Sequence, residues 1–325
     1  MITMLYFWRG AILDNIEAAT FTPDADMVAI VNKAAMTSSA KTIFYASSPI
    51  LDGTQSFNTR CGDHEMGSAT LGCYVGDTSC NVIMSRLYAE SCMQIVIYNV
   101  ANEQLDGIKE VTAAHEMLHA AYARLSESER NRVDTLLKNE VAKRSSDEKF
   151  ANRMAVYSQL SETESLNELH SILGTEQSEL SPDLATYYER YFTNRKSIVA
   201  MYNTYETVFS SLKSEADALA NSLNLQAESI NQRIAAHNVT AAQLQQDISD
   251  FNARATTGRL SSQAAFNAER ASLQTRATVL EKEAVSINDA IARYNNDRDH
   301  YQTIAGNLNE LNNSIDSSLA PAPAV

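Results

Sequence analysis

Residues 106–122 read Asp106-Gly-Ile-Lys-Glu-Val-Thr-Ala-Ala-His115-Glu116-Met-Leu-His119-Ala-Ala-Tyr122. Ile108, Val111, His115, Leu118, His119 and Tyr122 recur at helical spacing and form one broad stripe, and Asp106 can cap the start. Side chains four apart on a helix share a face, so His115 and His119 can reach one ion while Glu116, one position on, approaches the open side. Imidazole nitrogen binds zinc at roughly 2.0 Å, and a catalytic zinc keeps a fourth position for a water whose pKa it lowers to about 7. With six histidines and at most 40 acidic residues in 325, chance supplies at most about 0.014 matches to H-E-x-x-H per chain. The bland reading is two histidines satisfied by hydrogen bonds on a half-buried face. The sharper one is a helix holding one Zn2+ per chain, with His115 and His119 as ligands and Glu116 as the catalytic base.

Upstream of this helix, Gln94–Tyr98 reads as a strand running toward it, after further candidate strands at Ala69–Tyr74 and Val82–Leu87. Asp24 to Lys33 is helical in spacing, and Thr42–Ala46 has the β-branched and aromatic content of a short strand. All four cysteines, Cys61, Cys73, Cys80 and Cys92, fall in this region. An even, clustered count without C-x2-C pairs favours two disulfides and an extracytoplasmic setting, and sequential pairing of Cys61 with Cys73 and Cys80 with Cys92 is the simplest of three connectivities. The alternative is a cytoplasmic chain with four free thiols. Residues 1–23 open with about eight apolar positions, too few to span a bilayer, and are compatible with the outer end of a membrane anchor.

Downstream, Ser126-x-x-Glu129 and Ser161-x-x-Glu164 are capping boxes opening two further helices, and Gly174 is placed to close the second. A zinc site of this type needs a third protein ligand. The extension H-x-x-G-x-x-H is missing, because Tyr122 and Leu125 stand where it requires Gly and His. The stretch from Glu164 to Glu176 offers Glu168 instead, with Glu164, His170 and Glu176 as alternatives. His115-Glu116-x-x-His119 followed by Asn167-Glu168-x-x-Ser171 resembles the gluzincin group of zinc peptidases, the thermolysin-like superfamily, over about residues 94–176. That resemblance implies Glu168 as third ligand, a zincin-like catalytic domain, hydrolysis of peptide bonds in peptide or protein substrates, and a cleft strand near Gln94–Tyr98 whose exposed edge pairs with extended substrate. The chain departs from the family's Asn-Glu-x-x-Ser-Asp pattern at Ile172, where a carboxylate would orient a ligand histidine. Tyr187, Tyr188 and Tyr191 follow, each able either to stabilise an oxyanion or simply to pack.

Beyond residue 205, apolar positions at 212, 216, 219, 223, 230 and 234, and again at 273, 277, 280, 284, 287, 291 and 294, alternate in steps of four and three. This is a coiled-coil seam, interrupted by the turn Ala255-Thr-Thr-Gly258. Two such helices bury their stripes most simply against each other, and self-association through the same stripe competes. The expected architecture is α+β, mainly α. Residues 1–23 form an N-terminal segment, 24–204 a zinc metallopeptidase-like domain with a short N-terminal sheet, 205–319 an antiparallel coiled-coil hairpin and 320–325 a disordered tail. The net charge of −14 repels phosphate backbones and argues against a nucleic-acid partner. A secreted coiled-coil scaffold with a structural or degenerate zinc site is the competing function, distinguished by its indifference to Glu116.

Overall fold

The computed structural model describes residues 2–61, 71–76 and 89–316. The chain is mainly helical with a small three-stranded sheet and two long C-terminal helices. In order the elements are α1 (Ile2–Thr20), α2 (Ala25–Lys33), α3 (Ser38–Ala46), β1 (Ile50–Asp52), α4 (Thr54–Cys61), β2 (Gly72–Gly76) and β3 (Met93–Tyr98). Then follow α5 (Ile108–Ala123), α6 (Glu127–Lys143), α7 (Glu148–Ala155), α8 (Glu162–Thr175), α9 (Pro182–Tyr188), α10 (Arg195–Thr256) and α11 (Gln263–Ile315).

Two compact units result: Met1–Phe209 together with the chain from Glu310 onward, and Ser210–Asn309. The first contains the sheet and the H-E-x-x-H helix. Its strand order is β1-β3-β2, with β1 parallel and β2 antiparallel to β3. Ile95, Val96 and Ile97 are fully buried in β3, the continuous apolar run of a strand covered on both faces. Helix α5 packs beside this sheet and against α8.

Several sequence expectations are corrected. Thr42–Ala46 is not a strand but the end of α3: the Thr37 side chain caps that helix by accepting from Ala40 N, and Ala40 and Phe44, four apart, are its fully buried positions. The helical period of two buried residues outweighs the β-propensity of Thr-Ile-Phe-Tyr. Asp106 does not cap α5, which starts after Gly107 at φ 98°; its carboxylate instead pairs with Lys33 Nζ at 2.6 Å, which holds it below the usual range. Gly174 does not end α8, which runs one residue further; a Cβ there would stand 2.4 Å from Leu118 Cδ1 and 2.9 Å from Tyr188 Cε1. Its missing side chain lets α8 approach α5 and α9. The strand expected at 69–74 lies at Gly72–Gly76, its first two expected residues falling outside the described residues, as do Val82–Leu87 and the tail at 320–325.

Cys61 and Cys73 form a disulfide that ties α4 to β2, with their Cα atoms 5.9 Å apart. Cys80, and hence its expected pairing, lies outside the described residues. No helix among the described residues is long and apolar enough to cross a membrane.

In the second unit, pairs across the hairpin rise in number on α10 as they fall on α11, which makes the helices antiparallel. Gln226 donates to Asp297 at 2.7 Å, Arg233 pairs with Glu283 at 2.9 Å, Arg276 with Asp247 at 2.6 Å, and Arg254 with Glu269. Leu223, Ile230, Leu273 and Ile287 of the expected seam are buried. The turn carries Gly258 at φ 65°, a left-handed position that suits glycine after a helix end. Near it, Leu244, Phe251 and Leu273 form a small core, flanked by Leu260, Phe266 and Leu280.

Candidate metal centre

Helix α5 presents His115 and His119 one turn apart, their ring centroids separated by 4.8 Å. Glu168 comes from the middle of α8. Its Oε2 lies 3.7 Å from His115 Nε2 and its Oε1 3.5 Å from His119 Nε2, and one ligand atom from each of the three residues falls within 4.8 Å of the others. A tetrahedral ion with bonds of 2.0–2.1 Å holds its ligand atoms roughly 3.3 Å apart, so the three ligand atoms stand within about 1.5 Å of the spacing zinc requires. Among the described residues this is the one such group of three.

Protonation states match ligand chemistry. Burial pushes the His119 imidazole below its ordinary value, leaving it neutral near pH 7. Burial would raise the Glu168 carboxyl, but its electrostatic interaction with the His119 ring first, then a hydrogen bond from His115 and the Arg153 guanidinium, outweigh it, and the group is held well below the carboxylate range. A neutral imidazole at His119 and an ionised carboxylate at Glu168 are forms that bind metal. Asn167, immediately before Glu168, lies against the His119 ring and favours its protonated form. Ile172, where the resemblance would have wanted a carboxylate, is fully buried.

The alternative third ligands are elsewhere. Glu164 caps α8 by accepting from Ser161 N at 2.9 Å. Glu176 accepts from Arg153 through both oxygens, at 2.9 and 3.1 Å. His170 is fully buried behind the triad, with Nε2 2.9 Å from Tyr187 Oη, and burial pushes it down to about 3. The expected tyrosines do not face the cleft. Tyr188 donates to the His170 carbonyl at 2.6 Å, and Tyr187 sits 3.2 Å from Tyr191 through their hydroxyls. All three are buried, and their role is to build the wall behind α8.

Glu116 is only 3 % exposed, yet it borders a cleft of about 390 Å³. Gly72 of β2 lies directly over it: a Cβ on Gly72 would stand 2.8 Å from Glu116 Oε1 and 2.5 Å from Thr112 Cγ2. Strand β2, not β3, is therefore the strand at the site. The expectation that Gln94–Tyr98 offers a free edge is corrected, because β3 is paired on both sides and buried through Ile95–Tyr98. Among the described residues β2 has a partner strand on one side only.

The cleft beyond the triad is built by residues that sequence reasoning passed over: Arg153 and Tyr157 after α7 begins, Tyr202, Tyr205 and Glu206 from α10, and Asn312 and Ile315 from the end of α11. No motif marks them, and the only signal is the aromatic spacing of Tyr202 and Tyr205 within a run otherwise read as the approach to the coiled coil. No family model, curated protein or solved structure matches the chain.

Proposed function

We propose that the chain is a zinc-dependent metallopeptidase of the gluzincin type, hydrolysing peptide bonds at the α5–α8 centre with Glu116 as general base. The observation that carries this reading is the convergence of His115 and His119 with Glu168, which lies 49 residues beyond His119 in sequence, their ligand atoms falling within 4.8 Å of one another beside a cleft. A zinc ion bound there would supply Lewis acidity, lowering a water's pKa to about 7 and polarising the scissile carbonyl. Glu116, adjacent to His115 on α5 and bordering the same cleft, takes the proton of the attacking water and returns it to the leaving amine. Its burial beneath Gly72 restricts competing water and keeps the carboxylate aimed. The one-sided pairing of β2 supports an extended substrate lying along that strand by main-chain hydrogen bonds. The Cys61–Cys73 disulfide supports an extracytoplasmic setting.

The deciding experiment measures metal content by elemental mass spectrometry, after purification without chelators, for wild type, His119→Ala and Glu168→Gln, together with peptide cleavage. One zinc per chain, diminished in both variants, with cleavage by the wild type, is the expected result. Wild-type protein free of zinc would remove the metal centre. Zinc retained with no cleavage of any peptide would return the site to a structural role in a scaffold protein.

A further inference from the structure

The cleft that borders Glu116 has a wall remote from the triad in sequence and distinct in chemistry. Tyr157, Tyr202 and Tyr205 contribute three phenol rings to it. Burial pushes the Tyr202 and Tyr205 hydroxyls up, Tyr205 to about 12, so both stay neutral and offer undiminished π faces. Tyr202 and Tyr205 lie 6.4 Å apart at 37°, and Tyr205 is backed by Phe209 at 5.2 Å.

Two carboxylates share this wall with one guanidinium. Arg153 is fully engaged: Nε and one amino group bind both oxygens of Glu176, and the other amino group donates to Tyr157 Oη at 3.0 Å. It therefore has little to offer a substrate carboxylate. Glu206 is different. Its partner Lys149, at 2.9 Å, keeps 76 % of its side chain exposed, and a solvent-exposed pair of that kind is weak. An incoming cation can displace it. This cleft already displays the chemistry, since the Arg153 guanidinium stands 5.4 Å over the Tyr157 ring while paired to a carboxylate. Ile315, at the end of α11, adds an apolar surface to the same cleft, suited to the methylene stem of a long basic side chain. The net charge of −14 draws basic segments toward the protein in general.

We propose that Tyr157, Tyr202 and Tyr205, with Glu206 and Ile315, form a substrate subsite that takes a lysine or arginine side chain near the scissile bond. This rests on the peptidase reading and names its specificity.

The test is a series of quenched-fluorescence peptides, identical except that each position flanking the cleavage point is in turn Lys, Ala or Glu, assayed on zinc-loaded full-length protein. At one position kcat/KM for Lys should exceed that for Glu by roughly tenfold or more, as a carboxylate and aromatic faces together imply. The Lys-to-Glu ratio within a single variant is unaffected by how much of that variant folds. It should fall toward one in Tyr205→Leu and Glu206→Gln and invert in Glu206→Lys. Cleavage without a basic preference at any position, or a ratio unmoved in Glu206→Lys, overturns this inference and leaves the peptidase standing. Failure to cleave any member of the series overturns both.

Discussion

Helix α5 and the α10–α11 hairpin are both amphipathic in sequence, yet they are buried to different degrees. Thirteen of the sixteen residues of α5 are buried, including Glu110, Glu116 and His119. Between 210 and 309 full burial is confined to scattered seam positions such as Leu223, Ile230, Leu244, Phe251 and Ile287. A two-helix hairpin has one narrow seam and hides little else. Its charges pair in solvent, where each pair contributes little. In α5 an ionisable side chain surrendered to the interior costs several kcal/mol unless something compensates it. Buried histidine and glutamate there call for compensation, which the proposed metal centre would provide; the charges of the hairpin require none.

The sharpest break of this comparison is Glu116→Gln. The side chain keeps its shape and its place under Gly72, so zinc content should match wild type, while cleavage should fall by about 10²–10⁴-fold. Measured kcat/KM with parallel metal analysis distinguishes this from simple loss of the ion. A variant that still cleaves would show that the buried carboxylate does structural work only.

Next in size is Phe251→Ala in the hairpin. Phe251 stacks on Phe266 at 5.2 Å and belongs to the small core near the turn. Its truncation should destabilise that unit by about 3 kcal/mol, read as an earlier helical melt by circular dichroism, with zinc content unchanged. Loss of zinc in this variant would mean that the hairpin's folding underwrites the metal centre and that the two regions are not separable.

A single type of substitution should act with opposite sign in the two regions. In Gly174→Ala the new methyl meets Leu118 and Tyr188 in a fully buried contact, and overpacking of this kind costs about 1–3 kcal/mol. In Gly306→Ala, within α11, the methyl meets nothing within 4 Å and gains helix propensity of up to about 1 kcal/mol. Thermal melts of the two variants, one lowered and one raised, measure how tightly each region is packed.

What could be read from the residues follows the same division. The pair His115 and His119 was legible because an i, i+4 spacing on a strong helix former fixes relative position locally. Glu168 was legible only through resemblance, since nothing in its own neighbourhood sets it apart from Glu164 or Glu176. The hairpin was legible because its seam repeats. By contrast β1 passed unnoticed, being three residues long, and α3 looked like a strand because Thr-Ile-Phe-Tyr carries β-propensity that its buried face at Ala40 and Phe44 overrides. The cleft wall was illegible in principle. Arg153, Tyr205 and Ile315 line one cleft only through the tertiary fold, and no local pattern encodes the proximity of residues fifty or more positions apart.

The smallest expected effect concerns the far side of β2. Arg124, at the end of α5, donates to both oxygens of Asp14 on α1, at 3.0 and 3.2 Å, and to Tyr74 Oη on β2 at 3.0 Å. Glu17, one turn beyond Asp14, is raised from 4.5 to about 7, by burial first and by the Asp14 charge second, with Arg124 opposing. The folded chain thus holds this proton up to about pH 7, whereas the unfolded chain releases it near 4.5. Folding is favoured most below pH 4.5 at this position, and the contribution is lost as pH rises through 7. Glu17→Gln, which cannot ionise, should flatten that part of the stability profile and raise the melting temperature slightly at pH 8 relative to wild type. An unchanged difference between the two proteins from pH 5 to 8 would mean that α1 yields enough at Glu17 to let water reach the carboxylate. Even the well-packed unit would then have a loosely held edge at its N-terminal helix, and its contrast with the hairpin would narrow there.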